Sequence, residues 1–264
     1  FIRHDEGRLS RRLTSEIMKG LRSKQSTIIQ YPVSNEDRSI GARVSGEVSI
    51  NKLGEVLKDN PTHISLSGAA GQSFGAFISA NDYVGKGMGG GSITIIPQGT
   101  KNKGAYHAAG NAILYGATGG QLYISGRVGQ RFGVRNSGGI AVVEGCSAHA
   151  AEYMTGGTLI ILGSVGFNFG AGMTGGKVIV LKTQKNFSQY ISKSAPESRE
   201  MNDIDLLELR AFLNKHIEQT GSELAKDILK KEKDWSKMFT VFGGIANVTE
   251  SDIDTAKAKI EALD

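Results

Sequence analysis

The chain has 264 residues, 39% of them hydrophobic but only 7% aromatic, which suits one or two domains with a mainly aliphatic core. A formal net charge of +5 does not amount to a nucleic-acid surface, because between Ile64 and Leu181 there are only seven Lys/Arg and three acids, and the charge of the flanks is mixed in sign. The single cysteine, Cys146, excludes an intrachain disulfide, a cysteine-only metal site and an iron–sulfur cluster held by this chain alone, and no apolar run reaches the roughly 18 to 20 residues of a membrane span.

A reducing, cytoplasmic setting is expected from the cysteine usage. The chain starts at Phe1 with no apolar signal-like segment, which suits a processed product or a proteolytic piece. In chain order, Leu9, Leu13, Ile17 and Leu21 recur four apart and predict an amphipathic helix over 9–24. Strands are predicted over 26–33 and over 40–50, where Ala42, Val44, Val48 and Ile50 alternate with polar or small residues. A short helix over 51–58 is stopped by Asn60-Pro61.

From Thr62 the pattern changes. His63 to Gly68 alternates with period two, Phe74, Phe77 and Ile78 suggest a second short strand, and glycine punctuation begins. Five times a Gly-Gly pair precedes a β-branched or aliphatic run: Gly90-Gly91, Gly119-Gly120, Gly138-Gly139, Gly156-Gly157 and Gly175-Gly176. The steps between pairs are 29, 19, 18 and 19 residues, a repeat architecture. A unit of about 19 residues with two or three short strands cannot bury its own apolar face, but stacked units can. The pattern therefore predicts a mainly β fold, a right-handed parallel β-helix with helices flanking both ends. Glycine is expected at its corners for close backbone approach and φ > 0. The long 29-residue step predicts a surface loop within 97–109.

After Leu181 a polar connector, 184–199, leads to helices predicted from Asp203, over 222–233 with Ser222 as N-cap, and over 250–263 with Thr249 as cap. Trp235, Met238, Phe239, Val241 and Phe242 form a last apolar cluster, broken by Gly243-Gly244. The organisation read from this is a helix with leading strands in 1–60, the β-helix in 61–183, and connector plus helices in 184–264.

No motif carries chemistry convincingly. Gly85-Lys86-Gly87-Met88-Gly89 is G-x-G-x-G, but it runs into the strand Ser92 to Ile96, not into the helix N-terminus that a dinucleotide phosphate requires. Cys146, His149 and Glu152 lie three apart between strands, and adding His107 or Glu144 gives no metal-ligand spacing, so His149 reads as structural. Arg127, Arg131 and Arg135 are expected to point in different directions, and Asn81, Asn136 and Asn168 to occupy corners. Neither a Ser-His-Asp set nor a phosphate loop is present, and no catalytic, cofactor-binding or metal residue is assigned.

Five blocks in order, 81–87, 114–120, 131–138, 152–157 and 168–176, resemble the C-terminal GXGXG domain of the glutamate synthase large subunit. Residues Asp37 to Glu47 and Thr220-Gly221-Ser222 with the helix after them extend the likeness over roughly Arg8 to Phe242. The resemblance implies a β-helix without catalytic residues, packed between a glutamine amidotransferase part and an FMN/iron–sulfur synthase part that make glutamate from glutamine and 2-oxoglutarate. FMN and the cluster are then expected in those partners, not in this chain, which is either a fragment or a separately encoded subunit. One departure stands out: the family usually has Asp-His-Gly-Cys before Glu-Tyr-Met, and this chain has Ala148-His149-Ala150-Ala151. No role is carried over to that corner. The related GXGXG subunit of tungsten or molybdenum formylmethanofuran dehydrogenase is the alternative, and an independent β-helix scaffold the second. Stacking of β-helix ends into a homo-oligomer stays open.

Overall fold

The computed structural model describes residues 8–25, 27–33, 62–69, 77–79, 82–96 and 107–261, with the isolated residues 47, 50, 51 and 56. The helix Arg8–Arg22 buries Leu13, Ile17 and Leu21 from the expected stripe, with Met18 beside them. Strand β1 (Thr27–Val33) pairs in parallel with β2 (Thr62–Ala69), and β2 pairs with β3 (Phe77–Ser79). Pro32 is tolerated because β1 is an edge strand of this sheet. The strand expected over 40–50 is not found at its end: Glu47 and Ile50 are helical, and the Asn51 N–H donates to Glu47 O at 3.0 Å. A helical i,i+4 bond there takes the backbone groups that a strand would need for its ladder. Of the predicted helix 51–58 only Asn51, in a turn, and Val56, helical, are described, and Asn81, Phe74 and residues 97–106 lie outside the described residues.

The Gly-Gly repeat becomes a stack. Strands β4 (Gly89–Ile95), β6 (Gly119–Ile124), β8 (Ser137–Val143), β9 (Thr155–Ile161) and β10 (Gly175–Leu181) pair in parallel with their neighbours in that order. Between them, β5 (His107–Ala109), from the end of the long step, pairs with β7 (Arg127–Val128), and Val128 bridges to Cys146, giving a second, shorter row. Alternation along each strand feeds two cores. Leu122, Ile124, Ala141, Val143, Leu159 and Ile161 point into the coil, while Tyr123, Val142, Ile160 and Ile179 join an outer core with the C-terminal helices. Burial on both faces explains the near-continuous aliphatic runs. The molecule is a parallel β-helix.

Its C-terminal end is closed by segments without a repeat. Phe187, Tyr190 and Ile191 of the connector pack on the inner core, and Ile191 bridges to Phe169. Strand β11 (Ser198–Arg199) pairs with β12 (Phe239–Gly243), and β12 runs antiparallel along β10, so the last apolar cluster includes a strand. The long helix Asp203–Thr220 has an Asn202–Asp205 capping box and the left-handed Gly221 after it. Ser222 caps the next helix, Glu223–Leu229, which ends earlier than predicted and is followed by a 3-10 turn and the short helix Trp235–Met238. The Trp235 indole N–H donates to Ile228 O at 2.9 Å, fixing that corner. The last helix, Glu250–Glu261, starts at Thr249, which exchanges hydrogen bonds with Asp252.

The long helix lies across the strands and not beyond them. Asp205 meets Lys177 of β10, the His216 ring lies near Tyr123 of β6, and Gln219 accepts from Thr94 of β4. Eighteen residues span about 27 Å, and four strand spacings about 19 Å. One rigid rod therefore touches coils along the whole main sheet.

Candidate functional site

The paired glycines serve two physical needs. In the first position, a Cβ on Gly119, Gly138, Gly156 or Gly175 would come within 2.7, 2.2, 2.1 and 2.4 Å of a carbonyl oxygen of the preceding coil. None of these four has positive φ, so close approach alone demands glycine there. In the second position, Gly91, Gly120, Gly157 and Gly176 are left-handed at φ +75 to +86°. Gly90 has open space around it, and Gly139 does not have positive φ. The buried Asn136 accepts from the Gly139 N–H at 2.8 Å and donates Nδ2 to Gly139 O at 2.9 Å.

On the other side of each coil a feature absent from the sequence reading appears. Every second residue is left-handed: Tyr83, Gly85 and Gly87, then the equivalent triplets starting at Ala112, Arg131, His149 and Asn168. Nonglycine residues hold many of these positions, each at an expected cost of about 1–2 kcal/mol. The turns are held by coil-to-coil bonds, such as Arg131 N–H to Ala148 O at 2.9 Å and Gly133 N–H to Ile113 O at 2.9 Å. Between the left-handed residues Val84, Ile113, Phe132, Ala150 and Phe169 fill the interior. Aligning the five blocks on the Gly85-x-Gly87 and Gly170-x-Gly172 signals exposes this register.

The predicted arginines separate as expected. Arg127 turns along the coil to Ser164 Oγ and Cys146 O, whereas Arg131 and Arg135 are exposed on the left-handed turns. His149 Nδ1 contacts Glu152 Oε1 at 2.6 Å. Cys146 is buried, with its thiol pushed up to about 12 by burial and only partly drawn back by the Arg127 charge and the Gly166 N–H. That thiol is inert and takes no part in the His149 contact. His107 is exposed on β5, and no group of three His, Cys, Asp or Glu that could hold a metal occurs among the described residues.

The buried polar groups concentrate under the long helix. Lys177 Nζ donates to Asp205 Oδ1 at 2.8 Å and lies 2.8 Å from Glu208 Oε2, while Arg199 Nη1 donates to Asp205 Oδ2 at 2.5 Å. Burial pushes the Asp205 carboxyl up, but the Arg199 hydrogen bond, the Lys177 charge and the Asn202 N–H outweigh it and hold it below its ordinary 3.8. Further along, Ser222 Oγ donates to Glu144 Oε1 at 2.5 Å, and His216 Nε2 lies 3.6 Å from the same oxygen. Glu144 Oε2 and both His216 ring nitrogens are buried without a hydrogen-bond partner among the described residues. Ser222 is fully buried and its Oγ also accepts from the Ala225 N–H, so this Ser, Glu and His set ties a helix start to a coil and presents no nucleophile. A cavity of about 560 Å³ opens beside Lys177 and Glu208, walled by Gly175, Gly176 and the last helix.

The family model described as the GXGXG motif matches residues 10–245. The chain is 36% identical over 261 residues to a chloroplastic ferredoxin-dependent glutamate synthase of Oryza sativa subsp. japonica, covering 94% of this chain and 16% of that protein. It is 39% identical over 235 residues to a glutamate synthase (NADH) of Schizosaccharomyces pombe, covering 84% and 11%. To the large chain of a glutamate synthase (NADPH) of Bacillus subtilis it is 36% identical over 247 residues, covering 84% and 16%. The chain thus spans 16% or less of the length of these relatives.

Proposed function

The chain belongs to the GXGXG family, and from that membership we propose that it is the non-catalytic structural module of a glutamate synthase-type assembly. In this reading it holds a glutamine amidotransferase part and an FMN/iron–sulfur synthase part in register, and the flavin and cluster reside in those partners. A cytoplasmic setting is part of the same proposal. The supporting observation is where the buried polar side chains sit. Lys177, Asp205, Glu208, Glu144 and His216 all join the long helix to the coils, which suits rigidity and not turnover.

Copurification with the tagged chain from its native cells is the test. Recovery of amidotransferase and synthase polypeptides is expected, with FMN absorbance following the synthase. A purified chain that by itself shows stoichiometric flavin, glutaminase activity or NAD(P)H oxidation overturns the reading. Recovery of molybdopterin-enzyme subunits favours the formylmethanofuran dehydrogenase alternative instead.

A further inference from the structure

The helix layer covers the outer face of the main sheet, but the left-handed turn side carries exposed aromatic and cationic side chains. Of the five large hydrophobic side chains exposed among the described residues, three are here: Tyr83 at 42%, Tyr153 at 58% and Phe167 at 61%. The Tyr153 ring reaches over the next coil, so a Cβ on Gly172 would come within 2.8 Å of it, and the Phe167 ring lies 4.9 Å from that of Tyr190. Coil-to-coil bonds place Arg131 in line with His149 and Arg135 in line with Tyr153, four residues along the same turns. Arg131, Arg135, His149, Tyr153 and Phe167 therefore lie on neighbouring coils of one side, with Tyr83 and Lys86 two coils before Arg131, beyond a coil whose left-handed Ala112 and Leu114 are buried.

Its charge leans positive, with Lys86, Arg131 and Arg135 against Asp82 and Glu152. The acids on it are engaged, Asp82 by the Asn111 N–H at 2.6 Å and Glu152 by His149 at 2.6 Å. Arg131 and Arg135 are exposed and have no carboxylate partner among the described residues, and Lys86 lies 5.0 Å over the Tyr83 ring. The outward side chains are also kept against backbone preference. Tyr83, Arg131, Arg135, His149 and Tyr153 hold φ of +65, +61, +55, +66 and +52°, where glycine is less strained. Strain of this kind clusters at working surfaces, and aromatic residues with arginine characterise the centres of protein interfaces.

We propose that this turn side docks an acidic protein surface, with Lys86, Arg131 and Arg135 meeting its carboxylates and Tyr83, Tyr153 and Phe167 making the apolar contacts. A protein fits better than a nucleic acid because the three cations occupy only two of the five turns, Lys86 on the first and Arg131 and Arg135 on the third, with Glu152 on the fourth, leaving no continuous phosphate track. The identity of the partner, an amidotransferase or synthase part, rests on the assembly reading above.

The test uses the tagged full chain expressed in its native cells, with captured proteins identified by mass spectrometry. Wild type is compared with Arg131→Glu/Arg135→Glu, with Tyr153→Ser/Phe167→Ser, and with Lys230→Glu on the helix layer, all checked for unchanged melting. Both face variants are expected to recover at least tenfold less partner than wild type and Lys230→Glu, and capture by wild type to weaken with salt. Equal recovery of amidotransferase and synthase by wild type and folded face variants overturns this proposal while leaving the assembly reading intact. A different identified acidic protein, lost with the face variants, supports the face and overturns the assembly reading. Capture that vanishes on nuclease digestion overturns the docking proposal in favour of nucleic acid, and a wild-type chain that captures nothing removes both readings.

Discussion

The two sides of each coil solve the same stacking problem under different constraints. On the sheet side the first glycine of four of the five pairs faces a carbonyl oxygen of the coil before it; a Cβ on Gly156 would lie 2.1 Å from that oxygen, and no side chain fits. On the turn side the backbone is left-handed at every second residue, yet Tyr83, Arg131 and Tyr153 are accepted because their side chains leave toward solvent. A steric conflict with fixed backbone has no relief, whereas an unfavourable φ has a bounded cost. The same glycine-rich pattern therefore contains obligatory and replaceable positions, and only the packing tells them apart.

Substitutions can break that contrast, and the largest effect is expected at the sheet corner. Gly156→Ala places a methyl group against Ser137 O, so a loss of at least about 4 kcal/mol or failure to fold is expected in denaturant titration. A near-neutral result would remove the close-approach argument. Lys177→Met, on the same side, leaves Asp205 and Glu208 buried without their shared cation and should cost about 3 kcal/mol.

Protonating Asp205 removes part of that network. Because its folded carboxyl lies below the ordinary 3.8, its contribution is present above that value and is lost as pH falls through the depressed one. Melting temperature should therefore drop more steeply below pH 3.8 for the wild type than for Asp205→Asn.

Effects on the turn side should be smaller. Gly87 has φ +65° and nothing within 4 Å of a Cβ, so Gly87→Ala should cost only about 1–2 kcal/mol. Arg131→Gly relieves a left-handed side chain but frees the unfolded backbone, and a net change within about 1 kcal/mol is expected by melting. A larger loss would mean that the Arg131 side chain itself holds the fold.

The sequence by itself determined the repeat, the five main strands and the amphipathic N-terminal helix, because each depends on local spacing: Gly-Gly followed by a period-two run, or apolar residues four apart. It also located the caps Ser222 and Thr249, whose chemistry lies within three residues. The helical Glu47 and Ile50 were hidden because the alternation of Ala42, Val44, Val48 and Ile50 reads as a strand, whereas the Asn51 N–H bonds Glu47 O in helical fashion. The antiparallel course of β12 was hidden because Phe239 to Gly243 reads as an apolar cluster until β10 offers it a partner. Only the tertiary structure decided which glycine of a pair meets a carbonyl, which turn residues are left-handed, and that Ser222 would meet Glu144 from 78 positions away. The physical reason is common to all three: periodicity sets how one coil is built, but contact distance between coils, and between coil and helix, exists only once they are stacked.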